Sequence, residues 1–109
     1  MNNDIEGKVW DLYNRLQPAN AILCKEFGIE RNNGAINLVD IVSSPWREFQ
    51  GIELYPTSTN KIRKLGMELV RQHIYLDGNK RMALVAMEMM ADILQLKWNL
   101  TQREKYEEF

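Results

Sequence analysis

The sequence predicts a small all-α domain with one short extended flap. Its 109 residues allow a single hydrophobic core, so we expect one domain over residues 1–109. The composition, with 45% hydrophobic and 27% charged residues but only 6 Gly and 3 Pro, is typical of a globular chain. Apolar residues recur at intervals of three and four along most of the chain, which indicates helices, and this spacing is lost over residues 46–56.

Two helices are predicted in the first part of the chain. Asp4 is a candidate N-cap for the first, and Pro18 is expected to end it. A short second helix is predicted over residues 19–27, with Gly28 as its stop. The apolar residues at helical spacing in the first helix are Ile5, Val9, Leu12 and Leu16.

An apolar stretch follows the predicted turn at residues 32–34, and a flap follows that stretch. The apolar residues are Ile36, Leu38, Val39, Ile41 and Val42. A helix is favoured here, although their alternation leaves a strand open. Residues 46–56 then combine aromatic side chains with Gly51 and Pro56, which is typical of an extended or hairpin-like loop.

Two longer helices are predicted after the flap. Residues 57–60 offer several N-caps for an amphipathic helix that runs to about His73, and residues 82–96 form an apolar helix that we expect to be central. The polar face of the amphipathic helix is predicted to be solvated; its cations are Lys61, Arg63, Lys64 and Arg71. The charged tail, residues 101–109, is expected to be a solvated helix or a frayed end.

Charge and composition exclude several function classes. Cys24 and His73 are the only cysteine and histidine, which rules out a disulfide framework and structural zinc sites made of these residues. The formal net charge of −1 disfavours direct nucleic-acid binding. The amino terminus resembles no secretory signal, and residues 82–96 are too few to span a membrane, so we expect a cytoplasmic protein without a membrane partner.

Polar groups are concentrated at the junction of the last two predicted helices. Gly78, Asn79 and Lys80 would begin the last helix, where unpaired backbone N–H groups attract a phosphate. Asp77 beside them is suited to hold Mg²⁺ that bridges phosphate oxygens, and His73 can accept a proton from a hydroxyl. Taken singly, each of these residues is equally typical of an ordinary turn or cap. Together they predict transfer of a phosphate-containing group to a hydroxyl.

The junction, HIYLDGNKR at residues 73–81, resembles the Fic/Doc signature HxFx[D/E]GN[G/K]R. It is most similar to the Doc (death-on-curing) branch, which has HxFxDxNKR. The resemblance extends upstream through RNNG at residues 31–34 and LYP at residues 54–56, and so covers about residues 30–96. It implies a compact, all-helical Fic/Doc-like domain with a flap. Because the family continues with helical sequence past Trp98, the end at Phe109 fits either a short member or a product without its last helix.

The resemblance implies a role for each residue of the motif. His73 would be the general base and Asp77 the Mg²⁺-associated carboxylate, while Tyr75 stands where the family has a buried Phe. The anion hole and nucleotide contacts would come from Gly78, Asn79, Lys80 and Arg81. Independently of the resemblance, the extended flap could pair with a segment of the target by strand addition, with candidate residues Gly51, Ile52, Glu53 and Leu54.

The position of Lys80 favours one activity within the family. AMP-transferring members have Gly there and a second Arg where this chain has Leu84, and both departures follow Doc. The resemblance therefore implies a toxin kinase that transfers the γ-phosphate of ATP to a threonine of elongation factor Tu and is controlled by a Phd-like antitoxin. The alternatives are a Fic-like adenylyltransferase and a catalytically weak module that binds a partner.

Overall fold

A computed structural model describes residues 3–29 and 34–96. Over these residues the chain forms four helices, a single 3-10 turn and a two-stranded hairpin, which confirms the all-α fold with a short extended flap. The elements are α1 (Asn3–Phe27), α2 (Gly34–Ser43), the 3-10 turn (Ser44–Trp46), β1 (Glu48–Phe49), β2 (Ile52–Glu53), α3 (Ser58–Gln72) and α4 (Asn79–Ile93). Our predictions for residues 31–33 and 101–109 lie outside the described residues.

The first two predicted helices are one continuous helix, α1, so the prediction that Pro18 ends a helix is wrong. Proline removes one backbone N–H and so frees the carbonyl of Asn14, but both residues are exposed and that carbonyl can be hydrated. The buried face continues on both sides of the proline, through Leu12, Leu16 and Asn20. Packing of this face outweighs the local penalty of about 3 kcal/mol for an interior proline.

The apolar stretch before the flap is a helix, α2, as favoured over a strand. Leu38, Ile41 and Val42 are all buried, and their spacing of three and one places them on the same side of a helix. The chain then tightens into the 3-10 turn, whose Trp46 is buried against the core. The buried Trp46 therefore fixes the position at which the flap begins.

The flap is a minimal β-hairpin. β1 and β2 are antiparallel, and Phe49 lies opposite Ile52. Gln50 and Gly51, which connect them, have φ values of 51° and 81°. Positive φ at both central residues is the signature of a type I′ turn, whose twist suits a two-residue hairpin.

α3 starts where the sequence predicts, because the Thr57 side chain accepts a hydrogen bond from the Asn60 N–H at 3.0 Å. The prediction of a solvated polar face is wrong for Lys61, which is 6% exposed and donates to Glu53 at 3.3 Å and to the Tyr55 carbonyl. Its ammonium is thus used to hold the end of the flap. The buried stem of a lysine can pack in the core while its charge is paired.

α4 is the central helix, as predicted, and packs against both α3 and α1. Its buried side chains are Met82, Ala83, Ala86, Met87, Met90 and Ala91. A Cβ atom at Gly66 of α3 would overlap the Met87 side chain, so the glycine lets these two helices pack closely without a shift of that methionine. None of the helices in the described ranges is long and apolar enough to cross a membrane.

Candidate active site

A cleft of about 520 Å³ opens where α3 passes into α4. Its walls are Phe27, Val70, His73, Leu76, Asp77, Gly78, Asn79, Lys80, Arg81 and Leu84. The six residues predicted to be catalytic or phosphate-binding are all in this set, so the structure brings them together. The predicted target-binding residues of the flap do not line this cleft; these are Gly51, Ile52, Glu53 and Leu54.

His73 lies at the lip of the cleft with an unusual backbone. It caps the end of α3 with φ 50° and ψ 55°, in the left-handed region, and its side chain is exposed. Glycine is the favoured residue at this place in a helix end, because a Cβ atom costs about 1 kcal/mol or more there. A histidine kept at such a cost is a functional-site candidate in its own right.

Tyr75 anchors the loop between α3 and α4 (residues 73–78, hereafter the junction loop) in the core. It is fully buried, and its hydroxyl donates a hydrogen bond of 2.5 Å to Asn20 Oδ1 on α1. Burial raises the pKa of the Tyr75 phenol, and the neighbouring Cys24 adds to the effect, so the phenol stays a donor. Asn20 was not among the site residues predicted from the sequence. The signal was an amide four residues after Leu16, on the apolar face of α1.

Asn79 clamps the junction loop from inside. Its side chain accepts the Tyr75 N–H at 3.1 Å and donates to the Tyr75 carbonyl at 2.7 Å. Leu76 N–H also donates to the Gly28 carbonyl at 3.2 Å, and Ile29 forms a β-bridge with Tyr75. The buried backbone N–H and carbonyl of Tyr75 are therefore paired, and the end of α1 helps to fix the loop in place.

Asp77 and Gly78 form the turn that begins α4. Asp77 Oδ1 accepts the Gly78 N–H at 2.7 Å, and Gly78 has φ 85°. The backbone conformation therefore favours glycine, and a Cβ atom here would also require the end of the Leu23 side chain, 2.7 Å away, to shift. The Gly78 N–H is thus already occupied by Asp77, so an anion at this end of α4 would have to bind the N–H groups that follow.

The N-terminus of α4 is open. Gly78 is its N-cap and supplies no side-chain hydrogen bond, whereas the N-terminus of α3 is closed by Thr57. The first intrahelical bond at this end runs from the Met82 N–H to the Gly78 carbonyl, at 2.9 Å. Helix geometry leaves the N–H groups of residues 79–81 without helical partners. With the exposed side chains of Lys80 and Arg81, this end of α4 attracts an anion.

The cleft is also lined by four apolar side chains, those of Phe27, Val70, Leu76 and Leu84. Leu76 is 59% exposed, so its side chain is not used by the core. A cleft lined by both cationic and apolar side chains suits a ligand that joins a phosphate chain to an apolar organic group.

A metal would have to be shared with a bound phosphate. Among residues 3–29 and 34–96, no group of three or more His, Cys, Asp or Glu residues is arranged to hold an ion. Asp77 fits Mg²⁺ as a single carboxylate, because its Oδ2 accepts no hydrogen bond from the described residues. Magnesium is commonly held in this way, by one or two carboxylates together with substrate phosphates.

The helical scaffold brings His73 and the open N-terminus of α4 to one cleft. The chain belongs to the Fic/DOC family, whose sequence model matches residues 10–91 and so contains the whole cleft. Members of this family are in general protein-modifying transferases that use nucleoside triphosphates. The comparisons with curated proteins and with solved structures returned no match.

Proposed function

We propose that the protein is a Doc-like kinase, which transfers the γ-phosphate of ATP to a threonine or serine hydroxyl of a protein. One observation carries the proposal: His73 and the open N-terminus of α4 line the same cleft. A proton acceptor and an anion site are the two functions that phosphoryl transfer to a hydroxyl needs from a protein.

The proposed reaction uses the residues of this cleft directly. His73 accepts the proton of the target hydroxyl while its oxygen bonds to the γ-phosphorus, and the bond to the leaving ADP breaks. The N–H groups at the start of α4 and the side chains of Lys80 and Arg81 balance the charge on the transferring group. Mg²⁺ bound at Asp77 would supply further positive charge beside the phosphates.

Lys80 and Leu84 support transfer of the γ-phosphate over transfer of AMP. Both line the cleft, and Leu84, one of its four apolar side chains, is half-buried. By resemblance, AMP-transferring members hold the nucleotide with a second arginine at this place, and a leucine binds no phosphate. The cationic part of the cleft is therefore restricted to the end formed by residues 78–81.

The proposed target is elongation factor Tu and the proposed regulator a Phd-like antitoxin, both in the cytoplasm. The flap supports binding of a protein target, because each strand of a two-stranded hairpin has a free edge to which an extended segment can add. Ile52 and Leu54 are 70% and 50% exposed and would contact such a segment.

A two-label experiment tests this proposal. The protein is incubated with elongation factor Tu and ATP labelled at either the α or the γ position. We expect γ-label in the target and no α-label. α-label alone would assign the chain to the adenylyltransferases.

Two variants complete the experiment. His73→Ala should lower the transfer rate by roughly 10²- to 10⁴-fold, because general-base catalysis is worth about that much. Gln95→Ala, exposed beyond the end of α4, is the control and should leave the rate unchanged. If neither label transfers and His73→Ala inhibits growth as wild type does, the protein acts by binding a partner.

A further inference from the structure

Another concavity, of about 240 Å³, lies along the outer face of α3, and we call it the α3 groove. Its walls are Tyr55, Asn60, Arg63, Lys64, Met67, Glu68 and Arg71. It shares no lining residue with the catalytic cleft. The proposed phosphoryl transfer uses none of its residues, so its chemistry has to be explained separately.

Three exposed residues of the groove form a straight stripe. Arg63, Met67 and Arg71 are each four positions apart, and residues at this spacing lie above one another on a helix. The helical rise separates the two arginines by about 12 Å along the axis. Met67 between them is 46% exposed, so the stripe presents a cation, an apolar surface and a second cation.

Both arginines keep donors for a partner. Arg63 makes no ion pair or hydrogen bond with the residues of the described ranges. Arg71 has 75% of its side chain exposed, and its Nη1 is 3.6 Å from Glu68 Oε1, beyond hydrogen-bond distance. A guanidinium has five N–H donors in a planar fork that matches a carboxylate.

The carboxylate below the stripe, that of Glu68, already has hydrogen-bond partners. Glu68 accepts hydrogen bonds from Lys64 at 2.7 Å and from Gln72 at 3.0 Å. Burial alone would raise the pKa of Glu68, but these hydrogen bonds and the charges of Lys64 and Arg71 outweigh burial and lower it. Lys64 also lies over the Tyr55 ring, 5.2 Å from its centre. Glu68 thus fixes Lys64 and leaves the outer arginines available.

The charge of α3 differs from that of the chain. The helix has four basic residues and one acidic residue, whereas the whole chain has a net charge of −1. Two of the four, Arg63 and Arg71, face solvent in the stripe. A concentrated positive surface on a weakly acidic protein favours an acidic partner.

We propose that the α3 groove binds an acidic segment of a partner protein, in which an apolar side chain lies between two carboxylates about 12 Å apart. In an extended segment this is the pattern acid-x-apolar-x-acid, because alternate side chains share a face and four residues span about 13 Å. A nucleic acid fits less well, since Met67 interrupts the cations and Glu68 lies below them.

Binding to short peptide sets tests the proposal in the full-length chain. One set has the core Glu-x-Leu-x-Glu with random flanks, and the matched sets have Gln or Lys in place of both Glu residues. We expect wild type to prefer the Glu set over the Gln set by roughly 4- to 25-fold, because each of the two exposed ion pairs contributes a factor of about two to five. The double variant Arg63→Glu/Arg71→Glu should reverse this preference and select the Lys set.

Two controls keep the outcomes distinct. The variant Lys8→Glu/Lys25→Glu on α1 changes net charge equally and should still prefer the Glu set. His73→Ala should bind these peptides like wild type, so the result does not depend on the proposed kinase activity.

Three results would overturn the proposal. The first is equal binding of the three peptide sets, and the second is tighter binding of single-stranded RNA that the double charge reversal abolishes. The third concerns the tail of this chain, where Glu104, Tyr106 and Glu108 fit the same pattern. If the double variant Glu104→Gln/Glu108→Gln bound the peptides more tightly than wild type, the tail of this chain would be the segment that occupies the groove.

Discussion

The junction loop and the flap are both short, non-helical and rich in apolar residues, yet they are attached to the protein in opposite ways. Ile74 and Tyr75 of the loop are 0% exposed, whereas Phe49 and Ile52 of the flap are 65% and 70% exposed. The loop is held by hydrogen bonds from α1 and α4, and the flap by the paired ammonium of Lys61. The contrast teaches that buried polar contacts fix the loop that carries the proposed general base, while the proposed surface for a partner is left exposed.

Truncating the aromatic side chain in each region should give the largest difference. Tyr75→Ala removes a fully buried ring and should lower the free energy of unfolding by about 3–5 kcal/mol. Phe49→Ala is the matched change in the flap and should stay within about 0.5 kcal/mol, because its ring is exposed. Urea unfolding followed by circular dichroism measures both. Equal losses would contradict the difference in packing described above.

The clamp by Asn79 should be next in size. Asn79→Ala leaves the buried N–H and carbonyl of Tyr75 without their side-chain partner, so we expect a loss of about 1–3 kcal/mol. Asn14→Ala, at an exposed position of α1, is the control and should be neutral or slightly stabilising. Hydrogen exchange of the Tyr75 amide should accelerate in the first variant alone. An unchanged exchange rate would mean that the clamp does not hold the loop.

The junction loop and the flap each contain one residue other than glycine with positive φ. Replacing these residues by ones that favour this conformation should have the smallest effects on stability. His73→Gly should stabilise the protein by about 1 kcal/mol, because the left-handed backbone no longer carries a Cβ atom. It should also abolish transfer to the target. Gln50→Asn places the preferred residue in the flap turn and should add a few tenths of a kcal/mol with transfer unchanged. If His73→Gly were less stable than wild type, the backbone of His73 would not be strained.

Much of the fold follows from the sequence because helical period and caps are local signals. These signals correctly predicted α2, the flap and the N-terminus of α3. Gly28 ends α1, with φ 81°, as expected of a glycine that stops a helix. The continuity of α1 through Pro18 was missed, since tertiary packing on both sides of the proline decides it. The burial of Lys61 was missed for a similar reason, because its partners, Glu53 and the Tyr55 carbonyl, belong to the flap.

The part of the candidate site that lies in one short segment of the sequence was predictable. His73, Asp77 and residues 78–81 lie within one junction, and the structure places them on one cleft. Asn20 was not predictable in this way, because it reaches the site from 55 positions away along the chain. The α3 groove was hidden as well, since the sequence alone does not show which lysines of α3 are already paired.

The hydrogen bond between Tyr75 and Asn20 constrains how this protein can change over evolution. If Tyr75 alone became phenylalanine, Asn20 Oδ1 would be left in the core with only the Cys24 thiol, 3.9 Å away, as a donor. If Asn20 alone became leucine, the phenol would lose its acceptor. Evolution from this polar pair to an apolar pair must therefore pass through a less stable single variant or change both residues together. Related chains should carry either two polar or two apolar residues at positions 20 and 75.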